Sequence, residues 1–170
     1  LDPQKALENA DWFVAQKADL VIEFQIDANA GNVIMDQFNR AGIPVIAVDI
    51  PLPGATFFGA DNYRAGFMAG EALGRWIEEH WEGNPSLVLK LAATRVGPFA
   101  AARLQGLQNG LEAVIGSLEA SRVMTVESPV LIHESRETIA ALIPTLPPDA
   151  RVAIVGINDE AVVGALAAFE

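Results

Sequence analysis

The sequence predicts an α/β protein built on parallel sheets. Three observations predict it. Short apolar runs alternate with helical patterns of 10–20 residues along the whole chain, which is the order of crossover-connected parallel strands. Two of those runs end in an acid: Ile43-Pro44-Val45-Ile46-Ala47-Val48-Asp49 and Arg151-Val152-Ala153-Ile154-Val155-Gly156-Ile157-Asn158-Asp159. Of the 170 residues, 51% are hydrophobic and 19% charged, as a globular chain with buried strands requires. In open parallel sheets ligands bind beyond the carboxyl ends of the strands, so Asp49 and Asp159 are the first candidates for function.

The elements follow in order. Ala6, Leu7, Ala10, Phe13 and Val14 recur on one helical face of residues 3–17. Residues 19–24 read as a strand and 29–41 as a helix, with Gly42 as its stop. The strand over 44–49 is next. Pro51-Leu52-Pro53-Gly54 must be a loop, because proline fixes φ and lacks an N–H. A short strand over 56–59 precedes a long helix to about Glu82, capped by Asp61 or Asn62. That helix carries Gly66, Gly70 and Gly74. Each glycine costs about 1 kcal/mol in a helix interior, so the stripe predicts close packing against a sheet or another helix.

Residues 86–92 read as a strand, and Pro98 opens a helix to Ile115 with Leu104, Leu107, Leu111 and Val114 inside. A strand over 122–126, a helix over 134–145, a strand over 151–156 and a helix over 160–169 complete the order. The chain opens on a helix with no strand before it and stops inside a helical pattern. Parallel sheets need cover on both faces, so this pattern predicts a fold incomplete at both ends.

The charge excludes several functions. At −11 net, with scattered basic residues, the chain has no surface for nucleic acid. There is no cysteine, which excludes disulfides and thiolate chemistry. His80 and His133 stand apart with no carboxylate-rich motif, so no metal, cofactor or catalytic residue is expected. A dinucleotide enzyme would need a glycine-rich phosphate loop after a strand, and that order is missing.

Five motifs, in order, resemble the type I periplasmic binding protein family. They are Gln16–Ile22; Ala41–Asp49, similar to its "aGIPVV-x-x-D"; Gly59–Gly66, similar to "x-x-DN-x-x-aG"; Arg103–Leu107, similar to "R-x-x-G-F"; and Asn158–Ala165, similar to "ND-x-x-A-x-GA". Together they cover nearly the whole chain. The resemblance implies two flavodoxin-like α/β lobes joined by a hinge, with residues 1–60 in the first lobe and 61–170 in the second. It also implies a ligand cleft between the lobes and roughly 100 further residues in a complete protein.

The resemblance assigns the site residues. Asp49 and Asp159 would accept hydrogen bonds from sugar hydroxyls, where charge-assisted bonds are strongest. Asn158 would share that strand end, as contact or helix cap. Arg103, in the second turn of its helix, would present its planar fork. Phe99 would stack on a sugar face, and Gln25 would line the cleft; Phe57 and Phe58 read as core. The family often has Arg directly after the first acid; here Ile50 stands there. The implied function is capture of a small carbohydrate or polyol for the membrane permease of an ABC importer, in the periplasm or outside the cell, without catalysis. The alternative is the effector domain of a lactose-repressor-like regulator, in the cytoplasm.

Overall fold

The computed structural model describes residues 2–128 and 130–170. The chain divides into two compact units, one of residues 1–60 with Arg95–Gly97, the other of Asp61–Thr94 and Pro98–Glu170.

The first unit runs α1 (Pro3–Ala15), β1 (Val21–Glu23), α2 (Ala28–Ala41), β2 (Val45–Val48) and β3 (Thr56–Phe58). The Asp2 carboxylate accepts the Gln4 and Lys5 N–H groups and starts α1. Gly42, at φ 71, ends α2 as predicted, in a left-handed conformation that glycine adopts without cost. The strands pair in the order β1-β2-β3, all parallel, with Val21 opposite Val45 and Ala47 opposite Phe57. Helices α1 and α2 cover one face, where Ala10, Ile34 and Phe38 meet Val21, Val45 and Ala47. The opposite face carries Ile22 at 68% exposure and Phe24 at 52%. On β3, Phe57 is 46% and Phe58 72% exposed. Both were expected in the core. Phe58, opposite Val48, lies on the second face, which no described helix of this unit covers; Phe57, opposite Ala47, is on the helix-covered face but on the edge strand β3.

The second unit runs α3 (Asn62–Trp81), β4 (Leu87–Ala92), α4 (Pro98–Ile115), β5 (Val123–Glu127), α5 (Ile132–Leu142), β6 (Val152–Gly156) and α6 (Asp159–Leu166). The strand order is β5-β4-β6, all parallel, so the connection through α5 passes over β4. Successive right-handed crossovers in opposite directions put α4 and α5 on opposite faces. The packing agrees. Leu89 and Leu91 bury against Ile139 of α5 and Ala161 and Ala165 of α6. On the other face Lys90 reaches Gln108 of α4.

The glycine stripe of α3 has a counterpart. A Cβ at Gly66 would land on the Arg103 carbonyl, and one at Gly70 on that of Leu107. From the other side, Gly106 sits on the Tyr63 carbonyl and Gly110 on that of Phe67. The two helices run parallel at backbone contact, as the stripe predicts. Pro144 limits α5 to Leu142 and leaves a 3₁₀ turn, Ile143–Thr145. Trp76 is 45% exposed and stacks on His80 with ring centroids 4.4 Å apart.

Candidate functional site

The candidate side chains sit at the carboxyl ends of both sheets. In the first unit, Asp49 follows β2 and is exposed. Its N–H donates to the Phe58 carbonyl at 2.9 Å, while its carboxylate makes no hydrogen bond among the described residues. Gln25 follows the neighbouring strand β1 and is buried. Its side-chain oxygen accepts the Asp27 N–H at 2.9 Å, and Asp27 in turn caps α2 through the Ala30 N–H. Gln25 thus shapes the turn after β1 and retains its amide N–H donors. Ile50, where the family often has arginine, is buried.

In the second unit, two acid–amide pairs divide their work in a similar way. Asp61 caps α3 by accepting the Arg64 N–H at 2.9 Å, and Asn62 beside it accepts Arg103 Nε at 2.9 Å. Asn158 caps α6 by accepting the Ala161 N–H at 3.2 Å, and its amide donates to the Val130 carbonyl. Asp159 beside it is exposed and makes no side-chain hydrogen bond among the described residues. Asn158 is therefore occupied as a cap, and the adjacent carboxylate has no partner among the described residues.

Arg103 is half-buried on α4. Besides Asn62, it donates through Nη1 to the Ile157 carbonyl at 2.6 Å, tying α3, α4 and the end of β6 together. Those bonds use two of the five N–H donors of a guanidinium and leave the others available. Arg103, Asn158 and Asp159 line one groove of about 610 Å³, whose other wall is largely apolar and includes Gly66, Leu107 and Val162. Phe99, half-buried in the first turn of α4, does not line it.

Two polar residues escaped the sequence reading. Glu23 ends β1 on the face covered by α1 and α2, and burial pushes its carboxyl above the ordinary 4.5. Lys90 lies in the central strand β4, donating to Gln108 at 2.8 Å, and Gln108 donates to Glu112 at 2.9 Å. Burial lowers the Lys90 ammonium from its ordinary value, and the nearby Glu112 charge opposes that shift. A lysine inside an apolar run gives no sign of its helix partner, so the Lys90–Gln108–Glu112 network has no sequence signal. Among the described residues, no group of three or more His, Asp or Glu is placed to hold a metal ion.

The whole chain, residues 1–170, matches the family model of the periplasmic binding protein domain, and the chain belongs to that family. Solved structures of the same fold include an ABC sugar transporter subunit from Rhodobacter sphaeroides 2.4.1, 23% identical with a TM-score of 0.74. That match covers 99% of this chain and 58% of the other. An ABC transporter solute-binding protein from Bacillus halodurans C-125 with bound myo-inositol is 20% identical, TM-score 0.77, covering 99% and 56%. The binding component of an arabinose ABC transporter from Shewanella sp. ANA-3 is 21% identical, TM-score 0.71, covering 95% and 53%. The chain thus spans little more than half the length of these relatives. A search of the curated proteins finds no match.

Proposed function

We propose that the chain is part of a solute-binding protein of an ABC importer, working in the periplasm with a membrane permease. It captures a small carbohydrate or polyol and carries out no reaction. The observation that carries this reading is the end of β6. There Asn158 takes the capping duty, which leaves the Asp159 carboxylate unpaired in one groove with Arg103 and its spare donors. A carboxylate acceptor beside a guanidinium donor suits vicinal hydroxyls, which both donate and accept. Asp49, at the end of β2, is a second carboxylate with no hydrogen bond among the described residues. The relatives fit this ligand class: one holds myo-inositol, another D-allose, and a third is a galactofuranose-binding protein. The regulator reading is not favoured, because these relatives are binding proteins of sugar and polyol transport.

Calorimetry on the full-length protein against D-allose, L-arabinose, D-galactose and myo-inositol tests the proposal. One of them should bind with no product formed. Losing a charge-assisted bond costs about 1.5–3 kcal/mol, so Asp159→Ala and Asp49→Ala should each weaken binding by roughly tenfold to a hundredfold. Unchanged affinity in both variants would remove these residues from the site, and turnover of any sugar would reject the binding function.

A further inference from the structure

Asp49 has the backbone of a left-handed residue, φ 58, without being glycine. Such residues are uncommon, and strain of this kind gathers at ligand clamps. Two backbone bonds keep it there. Asp49 N–H donates to the Phe58 carbonyl at 2.9 Å, and Ile50 N–H donates to the Val48 carbonyl at 2.7 Å. The second bond spans a single residue, so Asp49 is the centre of a γ-turn. Immediately after it, Ile50 and Leu52 are buried, so the chain turns inward while Asp49 faces out.

Gly59 rests against this turn. A Cβ there would lie 2.9 Å from the Asp49 Cα and 3.1 Å from its nitrogen. Both are backbone atoms, and neither can rotate away as a side chain can. The third close atom, the tip of the Phe57 ring at 2.7 Å, belongs to a side chain that can swing aside. The need for glycine here is therefore one of space.

We propose that Gly59 is a positioning residue for the Asp49 carboxylate. Its missing side chain lets the chain leaving β3 close on the γ-turn, which sends Ile50 into the core and Asp49 out of it. The proposal rests on the reading of Asp49 as a ligand acid.

The test uses Gly59→Ala in the full-length protein. Its crystal structure should show Asp49 displaced from the left-handed region. An unmoved Asp49 overturns the proposal whether or not a ligand is known. Calorimetry with D-allose and myo-inositol adds a coupling measurement. Gly59→Ala should weaken binding about tenfold when Asp49 is present and add nothing in the Asp49→Ala background. Wild-type affinity, or an equal loss in both backgrounds, overturns the proposal and leaves Asp49 as a ligand acid intact. If the wild type binds neither compound, the crystal structure alone decides on Gly59, and the functional reading fails only if L-arabinose and D-galactose are not bound either. If Gly59→Ala does not fold, melting of Asp49→Asn and Asp49→Val decides. Asn accepts positive φ and the β-branched Val does not, so Val should melt lower; equal melting overturns the strained turn.

Discussion

The two sheets of this protein are written in the same sequence style and end in different environments. Sheet β5-β4-β6 has helices on both faces, and Val88, Leu89 and Leu91 of its central strand are buried. Sheet β1-β2-β3 has α1 and α2 on one face, and its other face leaves Ile22, Phe24 and Phe58 exposed. An apolar strand residue is thus core only if an element is present to cover it. Alternation along a strand tells which residues share a face and says nothing about what lies over that face.

Substitutions can sharpen this contrast. Leu89→Ala, at a fully buried position, should cost about 2–5 kcal/mol in urea unfolding, the range for an uncollapsed core cavity. A loss below that range would mean that β4 is less enclosed than it looks. Gly70→Ala forces a methyl onto the Leu107 carbonyl and should cost about 1–3 kcal/mol by overpacking. If melting of Gly70→Ala matches the wild type, α3 and α4 are not at backbone contact. By contrast Ile22→Thr, on the uncovered face, should change stability by no more than about 0.5 kcal/mol. A large loss there would mean that the face is covered in solution.

The smallest effect concerns pH. Burial raises the Glu23 carboxyl above 4.5, so the folded state holds that proton more tightly than the unfolded chain. Its contribution is fully present below the ordinary value and lost as pH rises through the raised one. Glu23→Gln should therefore raise the melting temperature slightly at about pH 7 and leave it unchanged near pH 4. A stabilisation equal at both pH values would assign the effect to packing instead of ionisation.

Much of this was legible in the sequence. The order of helices and strands follows from periodicity, and Gly42 and Pro98 mark a helix end and a helix start where expected. The sequence places an N-cap at Asn158 or Asp159, because N-capping is a local geometry, and the structure gives it to Asn158. What stayed hidden depends on contacts between distant segments. That Arg103 would spend two donors on Asn62 and Ile157 requires α3, α4 and β6 to meet. The partners of the glycine stripe, Gly106 and Gly110, lie on another helix, and nothing near Gly66 points to them. The left-handed backbone of Asp49 is fixed by Phe58 and Gly59 across the loop, beyond the reach of local propensity.

The seam between α3 and α4 also limits how the proposed binding surface can evolve. Helices that touch through glycine cannot slide or roll to absorb a change, because each of Gly66, Gly70, Gly106 and Gly110 meets a carbonyl of its neighbour. Arg103 is fastened to that rigid pair, so α4 cannot move to restore a lost reach. If the proposed site is right, new ligand preferences must come from exchanging side chains at the strand ends, as at Asp159, whose carboxylate makes no hydrogen bond among the described residues. The frame would stay invariant while its tips diversify.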